Sequence, residues 1–378
     1  MQQRRTLPTL RSLGETRVNG NRPPQDADGA PAGFDVFLAG LLFFDIVFTG
    51  LEQPPKPGVE VAAAGLGSGP GGIANLAVAL SRLDLRTSVA AAFGDDAYGA
   101  YLWDVLERQE GVDLSRSRRF PGWHSLVTVS LAYDGDRAMV THAPEPPVTA
   151  DQLVGATPPP SRAAVIDLGP DRQAWLEQAH AAGTLIFADA GWDEAAIHPD
   201  AVLDQLALCH AFMPNAEEAM AYTRTDSPQA ALARLAERVP VAVITRGGDG
   251  VLATDATTGE TASVSGLGVD AFDTTGAGDV FGAGFVAGTL AGWPLADRLR
   301  FANLGAALAV QQFGGALAAP GWAGVARWWR TVRDGSHPQA AELRADYAFL
   351  DDVIPAHVRP DSPVRHAQVT IGFTGRPR

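Results

Sequence analysis

The chain has 378 residues, of which 46% are hydrophobic and 19% charged, and its formal net charge is −14. These values are typical of a globular protein with room for one large α/β domain or two smaller ones. The acidic balance argues against nucleic acid or an anionic membrane as the main partner, although a local field can still hold an anionic substrate.

Two residue types are nearly absent, and each absence excludes a class of site. Cys209 is the only cysteine, so a disulfide within the chain and a cysteine metal cluster are both impossible. Lys56 is the only lysine and lies in the proline-rich stretch EQPPKPGVE. The chain therefore lacks both the lysine of a Walker A loop and the strand lysine of a protein kinase.

Residues 1–32 are polar and rich in Pro, Gly, Asn and Asp, which predicts a disordered N-terminal tail. They show no apolar core like that of a signal peptide. The longest apolar run, residues 36–44, is too short to span a bilayer. We therefore expect a cytoplasmic protein with no membrane partner.

Ordered structure is expected to begin with FDVFLAGLLFFDIVFTG (34–50), whose continuous apolar character is typical of one strand buried on both faces. Asp45 would lie at the end of this strand. A glycine-rich turn over residues 65–72 is predicted to open a helix, because apolar side chains recur at helical spacing from Ile73 to Leu83. A strand over TSVAAAFG and a helix ending at Gly111 follow.

The stretch SLVTVSLAYDGDRAMVTH (125–142) predicts two strands about a DGD turn and, since it interrupts the alternation of strands and helices, an accessory sheet. The alternation resumes at about residue 163 and implies a parallel sheet with helices on both faces. In such sheets ligands bind beyond the carboxyl ends of the strands. Polar residues at the predicted strand ends are Asp45, Asp189, Asn215, Glu218 and Thr245.

The most informative motif is DTTGAGDVFGAGF (273–285), in which a glycine-rich turn leads into an apolar helix. A helix N-terminus has free amides and a partial positive charge, so it attracts anions. Gly276 and Gly278 would let these amides face a phosphate, and Asp279 would take the proton of an attacking hydroxyl. The helix terminus is expected to keep Asp279 ionised. A generic GAGD would more simply be a capped turn with no chemical role.

This motif resembles the signature of the ribokinase-like, or PfkB, family of carbohydrate and nucleoside kinases, and the resemblance covers most of the chain. It implies an α/β fold with a central, mostly parallel sheet, helices on both faces and a small β-sheet lid. The lid would be built from about residues 46–63 and 122–143, and a homodimer through it is implied. The kinase domain would span residues 33–322 and precede a C-terminal extension, residues 323–378.

The resemblance also implies roles for individual residues, including those of GPGGIANLAVALSRLDLRTSVAAAFGDDAYG, which is similar to the family's N-terminal signature. The anion hole and catalytic base would be Gly276, Ala277, Gly278 and Asp279, and the sugar would contact Asp45, Gly71, Gly72 and Asn75. ATP would contact Asn215, Thr245, Gly247, Gly250 and Asn303. Glu218 would bind Mg²⁺ through water. Asp273 and Thr275 match positions that in some members help bind a monovalent cation, here K⁺.

Three alternatives stay open from the sequence. GSGPGG fits the dinucleotide fingerprint of a dehydrogenase, but a lone match is weak. A nucleoside kinase would use the same frame as a sugar kinase, and a sugar or nucleotide sensor would share the fold without turnover. An ATP-dependent phosphotransferase acting on a hydroxymethyl group of a sugar or sugar-like molecule explains the most motifs. Gly169 stands where ribokinases proper tend to carry a glutamate, which leaves the sugar open.

Overall fold

The computed structural model describes residues 33–133, 136–155, 157–169, 172–189, 199–312, 314–337, 339–359 and 361. The predicted tail, residues 1–32, lies outside the described residues. From Phe34 onward the described chain forms one compact unit.

Two β-sheets, a large one of eight strands and a small one of four, position the site. In chain order within the described ranges the strands are β1 (Phe34–Ala39), β2 (Leu42–Thr49), β3 (Gly65–Gly72), β4 (Thr87–Ala90), β5 (Ala92–Gly94), β6 (Arg118–Phe120), β7 (Leu126–Tyr133), β8 (Asp136–His142), β9 (Ser161–Asp167), β10 (Leu185–Asp189), β11 (Ala211–Phe212), β12 (Val241–Thr245), β13 (Val251–Asp255) and β14 (Glu260–Val264). The large sheet has the order β14-β13-β12-β11-β10-β9-β1-β4, and the small sheet has the order β3-β2-β7-β8. In the large sheet, the neighbouring strands β4, β1, β9, β10, β11 and β12 pair in parallel. Strand β13 pairs antiparallel with β12, and β14 pairs antiparallel with β13.

Helices cover the large sheet on both faces, as the alternation predicts. They are α1 (Ile73–Arg82), α2 (Ala97–Asp104), α3 (Ala150–Val154), α4 (Trp175–Ala181), α5 (Pro199–Gln205), α6 (Ala216–Thr223), α7 (Pro228–Ala236), α8 (Ala277–Leu290), α9 (Leu295–Val310), α10 (Gly321–Arg333), α11 (Ala340–Asp346) and α12 (Leu350–Val353). One apolar core on the first face includes side chains of α1 and α8, and a second core on the other face includes side chains of α4, α6 and α7. None of the helices in the described ranges combines the length and apolarity that crossing a membrane requires.

The prediction of a single strand over residues 34–50 is wrong. Gly40 and Leu41 separate β1, which lies inside the large sheet, from β2, which lies inside the small one. Asp45 is consequently in the middle of β2, between partners on β3 and β7, and does not end a strand of the large sheet. A continuous apolar run is compatible with both arrangements, because it carries no information on which sheet each half joins.

The prediction of a glycine-rich turn over residues 65–72 is also wrong. These residues form β3, which pairs antiparallel with β2 along its whole length, from Gly65 opposite Thr49 to Gly72 opposite Leu42. Glycine is unfavourable in an exposed strand but allows close approach of neighbouring groups. A Cβ atom on Gly71 would overlap the Asp45 carboxylate. Glycine lowers the strand propensity of β3 at this position but leaves the space that the Asp45 side chain occupies.

The hairpin predicted over residues 125–142 is present as β7 and β8, which pair antiparallel in the small sheet. Helices α8 and α9 pack closely because glycine replaces a side chain at their contact: a Cβ atom on Gly284 would lie 2.9 Å from the Ala302 Cα atom. Beyond residue 322, α10 to α12 pack on α9 through an apolar cluster that includes Phe301, Trp329 and Tyr347. Where the kinase domain ends and an extension begins stays a prediction.

Candidate active site

The predicted catalytic turn is found at the start of α8. Gly276 is the N-cap residue with a left-handed backbone (φ 73°, ψ 8°), and no side chain caps the helix. A Cβ atom on Gly278 would meet no atom within 4 Å, so the space in front of this residue is open. The Ala277 amide donates to the Thr274 carbonyl at 3.2 Å, within the turn. The amides best placed for an anion are therefore those of the two glycines.

Asp279 lies in the first turn of α8 and is held by a side chain from α1. The Asn75 Nδ2 atom donates to the Asp279 Oδ2 atom at 2.9 Å. Asn75 is only 5% exposed, and its Oδ1 atom is buried without a hydrogen-bond partner among the described residues. A Cβ atom on Gly276 would lie 3.2 Å from the Asn75 side chain. The first turns of α1 and α8 are thus packed together around the Asn75–Asp279 hydrogen bond.

The expectation that the helix terminus keeps Asp279 ionised at low pH is wrong. Burial raises the pKa of Asp279 from 3.8 to about 7, the hydrogen bond from Asn75 lowers it in part, and the negative charges of Asp167 and Asp45 raise it further. The residue as a whole is half-buried. Loss of hydration and repulsion by two carboxylates exceed the stabilisation that one hydrogen bond gives the charged form.

Asp45 and the glycine pair lie where the small sheet meets α1. Asp45 is half-buried on β2, and Gly71 leaves the space that its carboxylate occupies. Gly72 has a positive φ of 61° and caps α1, and a Cβ atom there would lie 2.7 Å from the Phe43 ring. Both glycines are therefore required by backbone geometry and by Asp45, and whether they also contact a sugar stays a prediction.

Asp273 stabilises the loop before α8. Its Oδ1 atom accepts the Thr275 amide at 2.9 Å, and its Oδ2 atom accepts the Gly314 amide at 3.3 Å. The segment from Gly314 lies beside Thr275 and Asn75, since a Cβ atom on Gly315 would contact both side chains. Asp273 thus joins two loops next to Asp279, and its proposed role in K⁺ binding is a separate question.

Asn215 and Glu218 form a capping box at the start of α6. The Asn215 side chain accepts the Glu218 amide at 3.0 Å, and the Glu218 Oε2 atom accepts the Asn215 amide at 2.8 Å. Burial raises the pKa of Glu218 more than its hydrogen bond with Asn215 lowers it. Asn215 also bridges to Thr245 at the end of β12, which brings two of the predicted nucleotide residues together.

The other three residues predicted to contact the nucleotide differ in how accessible they are. Gly247 is exposed with open space where a side chain would be. Gly250 is buried, its amide and carbonyl are bonded within the turn, and a Cβ atom there would overlap the Val264 carbonyl. Asn303 is 9% exposed and its Nδ2 atom donates to the Ser265 carbonyl at 3.3 Å. Gly250 and Asn303 therefore stabilise the surrounding backbone, whereas Gly247 and Thr245 are more accessible, and contact of any of the four with ATP stays a prediction.

Sequence reasoning missed Asp167, the last residue of β9. This strand lies between β1 and β10 in the large sheet, and Asp167 stands beside Asp189 in the register. It is an exposed residue at the carboxyl end of the sheet, where its charge acts on Asp279. The signal was available, because a carboxylate directly after the apolar run AAVI marks a strand end in the same way as Asp189 does.

Comparisons with known proteins support the resemblance to the PfkB family and its fold. The sequence model of the pfkB family of carbohydrate kinases matches residues 38–321. A fructokinase from Klebsiella pneumoniae is 32% identical over 274 residues, which cover 66% of this chain and 85% of the fructokinase.

Two solved structures share the fold. Arabidopsis thaliana ribokinase complexed with ribose and ATP has a TM-score of 0.62 and 21% identity, covering 76% of this chain and 96% of the ribokinase. A candidate ribokinase II from E. coli, in complex with ATP and Mg²⁺, has a TM-score of 0.63 and 20% identity, covering 76% and 96% of the two chains.

Proposed function

Since the chain belongs to the pfkB family of carbohydrate kinases, we propose that it transfers the terminal phosphoryl group of ATP to a hydroxymethyl oxygen of a sugar or sugar-like small molecule. A bond forms between that oxygen and phosphorus, the bond from phosphorus to ADP breaks, and the hydroxyl proton passes to Asp279. One observation carries this proposal: a half-buried carboxylate in the first turn of a helix whose amides no side chain caps.

The chain's own residues divide the work in this proposal. The amides of Gly276 and Gly278 stabilise negative charge on the transferring phosphoryl group. The Asn75 side chain fixes one oxygen of Asp279 at 2.9 Å and leaves the other to accept the proton. A pKa of about 7 suits this role, because a general base is most effective when its pKa lies near the working pH.

ATP and Mg²⁺ fit the accessible residues at the ends of β12 and at α6. Thr245 and Gly247 offer a hydroxyl and an open backbone to the nucleotide. In the described residues no group of three or more His, Cys, Asp or Glu is arranged to hold a metal ion. Mg²⁺ would therefore be held by the ATP phosphates and by Glu218 through water, and when bound it would neutralise phosphate charge.

K⁺ binding and dimerisation stay predictions. Asp273 and Thr275 would hold K⁺ beside the anion hole, which replacing K⁺ with Na⁺ in the activity assay tests directly. Strand β8 is at the edge of the small sheet, and Met139 and Val140 on it are 57% and 67% exposed. Exposed apolar residues on an edge strand favour pairing with a second copy, which sedimentation of the purified chain would detect.

The test is ADP release over a panel of sugars and nucleosides, followed with the wild-type chain and Asp279→Asn. We expect at least one sugar to be phosphorylated, and we expect the substitution to lower kcat by about 100-fold or more with ATP binding retained. Asp226→Asn, which removes one exposed charge between α6 and α7, is the control and should keep full activity. Turnover of nucleosides alone would move the assignment to a nucleoside kinase, and retained turnover in Asp279→Asn would exclude Asp279 as the base.

A further inference from the structure

Asp167 stands at the carboxyl end of β9 with no role in the proposed transfer. Helix α8, which carries Asp279, contacts β9. Asp167 is an exposed residue at this edge of the sheet, and burial of its carboxyl group against the protein raises its pKa. Among the described residues its carboxylate has no hydrogen-bond donor and no cation partner. A carboxylate accepts several hydrogen bonds and cannot donate, so Asp167 offers unused acceptor capacity beside the proposed base.

Three carboxylates from separate elements lie around this position: Asp45 from β2, Asp167 from β9 and Asp279 from α8. The negative charges of Asp45 and Asp167 both act on Asp279. No trio of acidic residues in the described chain has the geometry of a metal site, so these three carboxylates do not converge on one ion. Carboxylates are hydrogen-bond acceptors, so a ligand with several hydroxyl donors would complement them.

A second observation comes from Asn75, which contacts the same carboxylate. Its Oδ1 atom is a buried acceptor without a donor among the described residues, whereas its Nδ2 atom is bonded to Asp279. A buried polar atom without a partner costs free energy unless a ligand or water supplies one. The Asn75 Oδ1 atom is therefore a second acceptor beside Asp279 for which the described residues supply no donor.

We propose that Asp167 determines substrate specificity, by accepting a hydrogen bond from a second substrate hydroxyl and by excluding substrates that carry a carboxylate or a phosphate. The substrate class is then a neutral polyol or an amino sugar, and not a sugar acid or a sugar phosphate. This inference rests on the proposed function, since it concerns the acceptor site of the same transfer. The charge of Asp45 would also repel anionic substrates, but Asp45 is itself a predicted sugar contact. Removing Asp167 instead leaves the predicted sugar contacts on β2 and α1 in place, so it tests the role of Asp167 alone.

The discriminating experiment compares fructose, glucosamine, gluconate and fructose 6-phosphate as acceptors in ATP-dependent turnover. We expect the wild-type chain to prefer fructose and glucosamine over the two anions by at least about tenfold in kcat/KM, because like charges brought together lower affinity. Asp167→Asn keeps the size and removes the charge. This substitution should raise KM for fructose roughly tenfold. It should also lower the ratio of kcat/KM for fructose to kcat/KM for gluconate by a similar factor.

Two controls separate a specificity role from a general structural defect. Asp167→Glu restores the charge and should restore the discrimination, whereas Asp226→Asn should leave it unchanged. The groups that face Asp279 are Asn75 from α1, Asp45 from β2 and Asp167 from β9. Removing the Asp167 charge should therefore move the acid limb of the kcat/KM profile to lower pH. Equal losses for all four acceptors, or an unmoved acid limb, would overturn the inference.

Calorimetry measures binding of the same four compounds in the absence of ATP, when no turnover can occur. This measurement separates the inference about Asp167 from the proposed kinase function. Selective binding of the neutral and amino sugars with no phosphorylation would refute the kinase reaction and support the role of Asp167. Phosphorylation of gluconate as readily as fructose would refute the role of Asp167 and support the kinase reaction. Neither binding nor turnover of any of the four would overturn the inference.

Discussion

Replacing Asp279 with asparagine should stabilise the folded protein while it removes turnover. Burial and two neighbouring carboxylates raise the pKa of Asp279 from 3.8 to about 7. At 1.36 kcal/mol per pKa unit, ionisation of this group then costs folding about 4 kcal/mol above pH 7. Asp279 as a whole is only half-buried, which reduces this cost, so we expect Asp279→Asn to add about 2–4 kcal/mol to the free energy of unfolding at pH 8.

The sign of the pH dependence follows from which state holds the proton. Between about pH 4 and pH 7 the folded chain keeps Asp279 protonated, whereas in the unfolded chain the same group, with its ordinary pKa near 3.8, is ionised. The folded state therefore binds more protons, and its stability falls as the pH rises through this window. Asparagine does not titrate, so the advantage of Asp279→Asn should be largest at pH 8 and nearly absent at pH 4.

Thermal unfolding in the absence of ATP and sugar measures this difference. At about 2.1 cal/mol/K per residue, unfolding of the 378 residues has an entropy near 0.8 kcal/mol/K, so the melting temperature should rise by about 3–5 °C at pH 8. Asp226→Asn removes an exposed charge and should shift the melting temperature by less than about 1 °C at either pH. A variant that melts at or below the wild-type temperature at pH 8, or a gain that is equal at pH 4, would refute the buried-carboxylate reasoning.

Two further substitutions test the packing that supports the site. Glu110→Gln leaves the Arg82 guanidinium, whose side chain is 4% exposed, without its charged partner at 2.7 Å. Urea unfolding should show that the free energy of unfolding falls by about 3–5 kcal/mol. The control Glu237→Gln, in an exposed ion pair, should lower it by less than about 0.5 kcal/mol. Gly71→Ala places a methyl group against the Asp45 carboxylate; we expect KM for the sugar to rise more than about tenfold, and unchanged sugar kinetics would show that the proposed contact between Asp45 and the sugar is wrong.

Local sequence was sufficient to predict the glycine-rich turn that opens α8, because its geometry depends on adjacent residues. Gly276 adopts a left-handed backbone that glycine favours, and α8 begins one residue later. The capping box of Asn215 and Glu218 is equally local. Alternation of strands and helices also predicted the parallel sheet, since each unit is read from the chain in order.

The failed predictions all depend on contacts between distant segments. Residues 65–72 look like a turn in isolation and become a strand only because β2 pairs with them along its length. The pKa of Asp279 depends on Asn75, Asp45 and Asp167, which lie on three other elements. No pattern within DTTGAGD carries that information, so the helix-terminus argument considered one of several effects and gave the wrong direction.

The arrangement of Asp45, Asp167 and Asp279 links the stability of the empty protein to its proposed substrate. The repulsion that Asp45 and Asp167 exert on Asp279 is unfavourable, and the packing of α1, α8 and the two sheets must offset it. Substrate hydroxyl groups would supply donors to these acceptors, and hydrogen bonds to a carboxylate favour its charged form. Binding of a polyol would therefore ionise Asp279 in the same event that delivers the hydroxyl to be deprotonated. The raised pKa of the empty site is thus compatible with a base that becomes fully active only when its substrate is in place.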